Sequence, residues 1–555
     1  MARFLQTPPR LPDAWLGDVI LRDAIAACLG ESRMEIAEPL LAEVGRVSTV
    51  HETLALARRA EQEPPVLTHF GAWGERIDEI RVSSAYEELG RIGVEHGVAS
   101  LPYESEPFED AARVVWAAVL TMWGPSSALY SCPIAMTDAA ARTLLQHGGP
   151  EDLEIVERLT SRDPDRAWTS GQWMTETTGG SDVGRTETVA RCGPDGIWRL
   201  TGLKWFTSAT TSEMALTLAR PEGAPDGSRG LGLFRIHRRL EDGSRNAILV
   251  RRLKDKLGTR ALPTAELELE GAIAHPVGDP RDGKGLKRIA TMLNITRLHN
   301  ALGSAGSMAR GLAFAEAYAS VREVFDRPLA DQPAHKATLN ELRANYAAAL
   351  ALALRCAELT GRSEAGTASD DELAALRGLT PVAKLATARW AVADAAEAME
   401  SVGGVGYCED SGLPALVRNT HVLPIWEGTT NVLALDLLRA ELRSGAASAV
   451  IEDARRAAET TDVPELAAAV RSACDELTAW LSQGADLEAS ARPFAMSVAR
   501  TYACARLADQ AATGQGASSA RFLFAARRLV SRGLIGAPTA PDDWRDATEG
   551  SPIDR

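Results

Sequence analysis

The segment of residues 173–188, WMTETTGGSDVGRTET, concentrates hydroxyls, glycines and a carboxylate in a short span. Gly179 and Gly180 let backbone N–H groups come close to an electron-rich ligand, and Thr175 and Ser181 add short hydroxyl side chains. This combination suits the polar edge of a planar ring such as a flavin. A Thr/Gly-rich β turn with a purely structural role accounts for the same residues, so the segment alone leaves both interpretations open.

A second segment, residues 200–210 (LTGLKWFTSAT), puts Trp205 and Phe206 next to Thr207 and Ser208. An aromatic wall with hydroxyls beside it can stack on a planar heterocycle and hydrogen-bond to it. An ordinary amphipathic strand has the same composition, so this segment alone does not decide between the two.

A lone carboxylate, Glu427, stands between Trp426 and Gly428 in a third segment, residues 418–439 (RNTHVLPIWEGTTNVLALDLLR). A carboxylate that loses hydration in apolar surroundings binds a proton more readily, which suits a general base. Alternatively, Glu427 caps the next helix through the backbone N–H groups ahead of it, which is an ordinary role for Glu in a first turn.

The hydrophobic pattern around these segments changes twice along the chain. Residues 13–148 have mostly helical periodicity, residues 166–277 are rich in Trp, Thr, Gly and alternating segments, and residues 285–442 return to the helical period. A further helical region follows the small-residue linker SGAASA. This order of helices, β domain and helical bundle favours a cofactor held where such layers meet.

Two local predictions are specific. In residues 265–270 the strand pattern places Ala265, Leu267 and Leu269 on one face and three glutamates on the other. After the break at Pro64-Pro65, weak alternation around a Gly-x-x-Gly turn predicts a hairpin inserted among the helices.

Composition excludes several classes of protein. The 555 residues carry a formal net charge of -15, which disfavours non-specific attraction to nucleic acid or anionic lipid. Prolines and charges near the start and the lack of a long apolar run predict a cytoplasmic protein with no membrane span. The seven cysteines are scattered without zinc-ligand spacing, so we expect buried thiols, Cys408 included, and no metal site.

Together, the motifs resemble the acyl-CoA dehydrogenase family over residues 60–445. Family members read T-E-x-x-x-G-S-D, here TETTGGSDV, followed by segments like GLKWFTS and KDKLGTR, and later by GGVGYCED and IWEGTTN. The segments PPVLTHFGAWGERIDEIRV and EAMESVGGVGYCED, and the extra C-terminal helical region, are similar to the AidB-like branch, named for a bacterial protein linked to the alkylation response.

The resemblance implies the acyl-CoA dehydrogenase fold, which is mainly α with a central β domain. The N-terminal helical domain would span residues 1–165 and a β-barrel-like middle domain residues 166–282. A C-terminal helical bundle would span residues 283–444, and residues 445–555 would add a further helical domain.

The resemblance also implies one FAD per subunit. The residues that would contact its flavin ring or ribityl chain are Met174, Thr175, Ser181, Phe206, Ser208, Thr429 and Asn431. A second set of residues would reach the adenosine and pyrophosphate of FAD across a subunit boundary, and this arrangement favours a homotetramer. The second set is Arg322, Phe325, Gln332, Gly403 and Gly404.

Glu427 matches the base that, in most family dehydrogenases, removes the proton α to a thioester carbonyl while flavin N5 accepts the β hydride. The alternative base position of isovaleryl-type members falls at Thr296, and threonine cannot serve. Arg297 remains on the helix that helps to hold coenzyme A, although its usual Asp partner is Asn294. Two further departures affect adenosine binding: Asp326 replaces a glycine and Glu400 replaces a glutamine.

Two other functions stay open. An AidB-like flavoprotein could bind DNA, but residues 445–555 contain 12 Arg and no Lys against 15 Asp plus Glu, a net charge of -3. Seven arginines with a single acid, Asp509, are a local exception: Arg492, Arg500, Arg506, Arg521, Arg527, Arg528 and Arg532. A flavin oxidase or oxygenase of tailoring metabolism is the other alternative, since the fold hosts several flavin chemistries.

Overall fold

The computed structural model describes residues 6–104, 106–482 and 487–537. The chain divides into two compact units, of which the first comprises Met1–Leu41, Pro107–Ala118 and Asn300–Arg555, and the second comprises Ala42–Glu106 and Val119–His299. Three helices contain residues of both units: α1 (Val19–Val47), α4 (Ala112–Trp123) and α7 (Gly285–Val321). The four-domain division predicted from the sequence stays a prediction.

The second unit contains a curved β-sheet with helices before it. Its helices are α2 (His51–Gln62), α3 (Ser84–Glu95), α5 (Ser131–His147) and α6 (Leu153–Leu159). The seven strands of the sheet are β3 (Ser170–Gln172), β4 (Val189–Cys192), β5 (Trp198–Ser208), β6 (Met214–Pro221), β7 (Gly232–His237), β8 (Ile248–Leu253) and β9 (Thr264–Pro276).

The sheet closes on itself. Its strand order is β3-β6-β4-β5-β9-β7, and β7 also pairs with β6. Strand β8 pairs with residues 265–269 in the first half of β9. Closure gives a barrel-like β domain, because no edge remains on the ring β6-β4-β5-β9-β7. Its interior holds alternate apolar residues such as Phe234, Ile236, Leu267 and Leu269.

The predicted hairpin after Pro64-Pro65 is confirmed as β1 (Val66–Phe70) and β2 (Arg76–Arg81). The predicted inward face of β9 is also confirmed, since Ala265, Leu267 and Leu269 are buried. Glu266, which the pattern assigns to the other face, is buried as well.

The first unit is helical in its described residues except for a short hairpin, β10 (Glu323–Val324) and β11 (Arg327–Pro328). Its long antiparallel helices α8 (Pro333–Ala365) and α9 (Asp370–Ser401) pack together. The remaining helices are α10 (Leu413–Thr420), α11 (Thr430–Ser444), α12 (Ala446–Glu459), α13 (Pro464–Leu481), α14 (Ala491–Thr513) and α15 (Ala517–Arg532).

Local sequence explains where the central helices end. A left-handed glycine, Gly366, ends α8, and a capping box of Ser369 and Glu372 begins α9. The last four helices form the predicted additional helical region, and α14 contacts α8, α11, α12 and α15. The predicted fold class, with N-terminal helices, a middle β domain, a helical bundle and extra C-terminal helices, is confirmed.

The cysteines differ in part from the prediction. Cys356, Cys474 and Cys504 are buried, whereas Cys192 and Cys408 are exposed. Cys192 is the last residue of β4, and Cys408 lies in a turn, so both stand at the ends of elements rather than in the core. No helix of the described ranges combines the length and the hydropathy that crossing a membrane requires.

Candidate active site

In the second unit, the hydroxyl-rich segment that follows β3 is fastened to β5. The Trp173 indole N–H donates to the Ser208 carbonyl at 3.3 Å, and the Trp205 amide donates to the Thr175 carbonyl at 2.9 Å. The structure thus brings the first two predicted segments side by side.

A buried ion pair forms a third attachment between these segments, and sequence reasoning missed it. Lys204 Nζ donates to Glu176 Oε1 at 2.7 Å and to the Leu218 carbonyl at 2.9 Å. The Glu176 carboxylate also accepts from the Thr188 hydroxyl at 2.6 Å and from the Glu187 amide at 2.6 Å. Burial alone would raise the pKa of Glu176, but Lys204 and these hydrogen bonds outweigh it and hold the pKa below its usual range.

The loop that contains Gly179 and Gly180 has backbone that no side chain of its own covers at these two residues. Gly179 has a φ of 112°, which a side chain would strain, and open space surrounds it. A Cβ on Gly180 would lie 2.6 Å from the Thr175 hydroxyl. The Gly179 amide donates to the Glu176 carbonyl at 3.0 Å. Ser181 is exposed beside it and Met174 is buried, so this edge offers uncrowded backbone and hydroxyls to a ligand.

The end of β5 offers an aromatic surface. The register of β5 against β9 shifts between Lys204 and Thr207, and within this bulge Phe206 is 56% exposed. Lys254 Nζ lies 3.7 Å from the centre of the Trp205 ring and 4.8 Å from that of Phe206. The strand end thus has an exposed ring near the half-buried Ser208 hydroxyl, whereas the buried Thr207 hydroxyl donates to the Ala265 carbonyl at 2.7 Å.

In the first unit, Glu427 lies in the turn between α10 and α11. Its φ is 57° and that of Gly428 is 99°, so the turn contains two consecutive left-handed residues. Such strain in a residue other than glycine persists only where the surroundings enforce it, and it concentrates at functional positions. Lys384, buried on α9, donates to the Gly428 carbonyl at 2.7 Å and fixes the turn. The N-cap of α11 is Thr429, two residues beyond the glutamate.

Other groups near this turn are polar and partly enclosed. The Asn300 amide of α7 donates to the Leu423 carbonyl at 3.1 Å. The indole nitrogen of Trp426 is buried and has no hydrogen-bond partner among residues 6–104, 106–482 and 487–537. Asn431, in the first turn of α11, is exposed.

The β10–β11 hairpin carries Phe325, one of the residues predicted to reach the nucleotide. Phe325 and Asp326 form its two-residue turn, with φ of 51° and 62°, and Phe325 is 90% exposed. The family's glycine would adopt this turn without strain, and Asp is among the residues that tolerate it. The Gln332 amide donates to the Val324 carbonyl at 2.9 Å and accepts from Arg327 at 2.8 Å, so it braces the hairpin.

The remaining predicted residues lie at helix ends or on α7. Arg322 follows α7, and its carbonyl accepts from the Leu329 amide at 2.6 Å. Gly403, with a φ of 67°, and Gly404 follow α9 and face open space. On the part of α7 that belongs to the second unit, Arg297 is partly buried and Asn294 is exposed. The Thr296 hydroxyl hydrogen-bonds the Met292 carbonyl at 3.2 Å, as a structural threonine does.

Taken unit by unit, these residues fit a flavin dinucleotide. The second unit supplies open backbone at Gly179, the hydroxyl of Ser181 and the exposed ring of Phe206. The first unit supplies the exposed Phe325 and uncrowded backbone at Gly403. Hydroxyls, backbone N–H groups and aromatic rings are the donors and surfaces that a dinucleotide with an aromatic ring system requires.

Comparison with known families covers almost the whole chain. Residues 6–166 match the N-terminal domain of the adaptive response protein AidB, and residues 171–272 match the acyl-CoA dehydrogenase middle domain. Residues 283–442 match the acyl-CoA dehydrogenase C-terminal domain, and residues 447–545 match the acyl-CoA dehydrogenase 11 C-terminal domain-like family.

Individual proteins agree with these matches. Acyl-CoA dehydrogenase family member 11 of Caenorhabditis elegans is 41% identical over 96% of this chain and 90% of its own length. The AidB protein of Escherichia coli is 37% identical over 72% of this chain and 73% of its own. The crystal structure of C. elegans ACDH-11 in complex with C11-CoA has a TM-score of 0.94 at 39% identity, covering 99% of this chain and 96% of that one. The chain therefore belongs to the AidB-like branch of the acyl-CoA dehydrogenase family, and it is an FAD-dependent oxidoreductase.

Proposed function

We propose that this protein oxidises an acyl-CoA thioester between Cα and Cβ, with Glu427 as the catalytic base. The C. elegans relative, whose structure contains C11-CoA, supports a medium or long acyl thioester as the substrate class. FAD, when bound, supplies the two-electron acceptor for this chemistry.

The observation that carries the proposal is the strained turn at Glu427. A left-handed glutamate, held by Lys384 through the neighbouring carbonyl, presents its carboxylate from fixed backbone. The carboxylate takes the α proton, and the electron pair of the broken C–H bond forms the Cα=Cβ bond. The β hydrogen departs as a hydride with two electrons, and the product is the 2-enoyl thioester.

The residue roles implied by the family are part of the proposal. Met174, Thr175, Ser181, Phe206 and Ser208 would hold the flavin from the β domain. From the helical unit, the flavin and nucleotide contacts would come from Thr429, Asn431, Arg322, Phe325, Gln332, Gly403 and Gly404. Arg297 would pair with a phosphate group of coenzyme A, since a guanidinium forms bidentate contacts with phosphate.

Anaerobic mixing of the FAD-loaded protein with acyl thioesters of increasing chain length tests this function. We expect loss of the flavin absorbance band with acyl-CoA and no loss with the matching free fatty acids. A flavin that stays oxidised with every acyl-CoA would overturn the proposal. Repeating the reaction in air separates the alternatives, because hydrogen peroxide formed at the rate of turnover would identify an oxidase.

A homotetramer is proposed for the assembly, supported by the family pattern and by exposed aromatic residues such as Phe325 and Tyr407. Sedimentation velocity on the FAD-loaded protein should report one species of four chains, and a monomer would contradict it. A cytoplasmic location remains a prediction.

DNA binding is the less favoured alternative, because most of the C-terminal arginines are already engaged. Their partners within the first unit are carboxylates or a backbone carbonyl: Arg500 with Leu534, Arg506 with Asp509, Arg521 with Asp23, Arg527 with Glu465, and both Arg528 and Arg532 with Glu341. We expect no mobility shift of duplex DNA at low salt, and a salt-dependent shift would favour the DNA-binding function.

A further inference from the structure

Behind Ser208, a chain of polar contacts leads to an amine that the reaction does not use. The Ser208 hydroxyl lies 3.0 Å from the hydroxyl of Thr264, the first residue of β9. Lys256, in the loop before β9, donates through its Nζ to that same Thr264 hydroxyl oxygen at 3.1 Å. Lys256 also donates to the Leu262 carbonyl at 2.5 Å, which fixes the loop.

The chemistry of an ammonium group sets the direction of this chain. An ammonium only donates, so the Thr264 oxygen accepts from Lys256. Among the described residues Ser208 is the one acceptor within reach of the buried Thr264 hydroxyl, so the Thr264 proton points to Ser208 rather than staying unsatisfied. The Ser208 oxygen then accepts from Thr264, which leaves the Ser208 proton available for an acceptor outside the chain. With an apolar residue at 256, the two hydroxyls could reverse their roles.

No carboxylate pairs directly with Lys256 in the part of the chain that the structure describes. Its Nζ hydrogen-bonds a carbonyl and a hydroxyl instead. The neighbouring Lys254, by contrast, pairs with Glu266 at 2.6 Å. Burial lowers the pKa of Lys256 to about 8, against the opposing influence of Cys132 and Glu61, so the amine remains mostly protonated at neutral pH.

The loop that Lys256 fixes belongs to the same packed surface as another proposed flavin residue. Leu262, whose carbonyl accepts from Lys256, is buried in one hydrophobic cluster with Ala261 and Met174. Lys256 therefore joins the strand end that carries Ser208 to the cluster that contains Met174.

We propose that Lys256, acting through the Thr264 hydroxyl, is a positioning residue for the flavin, which fixes Ser208 as a hydrogen-bond donor and places a positive charge behind it. This inference rests on the proposed flavin contact of Ser208. A reduced flavin carries more negative charge than an oxidised one, so a cation on this side favours the reduced form.

Lys256→Met, which keeps the length of the side chain and removes the charge, tests the inference on the full-length protein. We expect FAD to bind about tenfold more weakly, because the donor at Ser208 is no longer fixed, and the oxidised spectrum to shift. We expect the preference for reduced flavin to fall about tenfold, which corresponds to about 30 mV for a two-electron couple. Lys256→Arg, which keeps the positive charge, should have a flavin reduction potential close to that of the wild type.

Two further variants locate the effect. Thr264→Val removes the bridging hydroxyl with little change of volume, and it should weaken FAD binding as Lys256→Met does. The control Lys284→Met removes an exposed lysine of the same unit and should leave affinity and potential unchanged.

Each outcome decides between the alternatives. A folded Lys256→Met protein with wild-type affinity, spectrum and potential would overturn the inference, and so would a Thr264→Val protein with wild-type FAD affinity. If Lys256→Met does not fold, Thr264→Val alone decides. Failure of the wild-type protein to bind FAD would refute the flavin assignment itself, so the two failures are distinguishable.

Discussion

Replacing Lys204 by Met should destabilise the β domain and release the loop that is proposed to hold the flavin. Lys204 is completely buried, and its Nζ joins the Glu176 carboxylate and the Leu218 carbonyl. Methionine nearly preserves the volume, so the substitution removes charge and hydrogen bonds with little effect on packing.

The size of the effect follows from the burial of the partner. The Glu176 carboxylate retains the Thr188 hydroxyl and the Glu187 amide but loses its only paired cation in the described structure. Removing one partner of a buried ion pair costs about 3–5 kcal/mol, because the remaining charge is uncompensated. The double variant Lys204→Met with Glu176→Gln should recover part of this loss, since no buried charge remains.

Urea unfolding followed by circular dichroism measures the loss, and fluorescence of released FAD measures the loosening of the loop. A matched control is Arg191→Met, which breaks the Arg191–Glu222 pair of the same unit at 2.9 Å with both side chains 62% exposed. An exposed pair is worth at most about 1 kcal/mol, so this control should be nearly neutral. If Lys204→Met costs no more than the control, the ion pair does not have the structural role argued above.

Two other substitutions probe the helical unit. Burial raises the pKa of Asp394 to about 7, so the folded state loses stability as the pH rises from about 4 to 7. In urea unfolding, Asp394→Asn should therefore be more stable than the wild type at pH 8, by up to about 4 kcal/mol, and equally stable at pH 4. Equal stability of the two proteins at pH 8 would contradict this. Arg113 is fully buried and donates two hydrogen bonds to the Glu364 carboxylate, at 2.9 and 2.8 Å. Arg113→Met should lower the free energy of unfolding by about 3–5 kcal/mol, and Arg113→Lys should restore little of it, because a lysine cannot form both bonds. A loss below about 1 kcal/mol in Arg113→Met would show that this ion pair does not support the fold.

Local periodicity predicted the strands and helices well, because each depends on which residues face the core. The alternation of Ala265, Leu267 and Leu269 matches the inward face of β9. The burial of Glu266 lies beyond what this alternation predicts, and it is accompanied by ion pairs of its carboxylate with Lys254 and Arg252 at 2.6 and 2.7 Å. A one-strand pattern cannot predict this, since both cations precede the strand and reach it only through the β8–β9 pairing.

The supporting residues of the candidate site were harder to predict than the residues proposed to face the ligand. Motifs indicated Thr175, Ser208 and Glu427, but not the buried lysines that hold their backbone. The sequence contains one indication for Lys204. It lies four residues after the buried Leu200 on β5, so its side chain points to the same face of the strand. A lysine on a buried face needs a carboxylate partner to compensate its charge. That the acid is Glu176 depends on a contact across 28 residues of sequence, which only the tertiary fold defines.

The position of Lys384 shows the same limit. It lies on α9 and acts on the carbonyl beside Glu427, 44 residues later. An alanine-rich helix predicts burial of its apolar stripe, and it gives no indication of which turn a buried lysine will reach.

The base assignment is tested most directly by the rate of flavin reduction in Glu427→Gln. Stopped-flow mixing of FAD-loaded protein with an acyl-CoA that bleaches the wild type should show reduction slowed about 10²–10⁴-fold, with FAD still bound, because the amide cannot take the α proton. The control Glu397→Gln, an exposed glutamate of α9, should react like the wild type. Reduction of Glu427→Gln at the wild-type rate would contradict the proposed function.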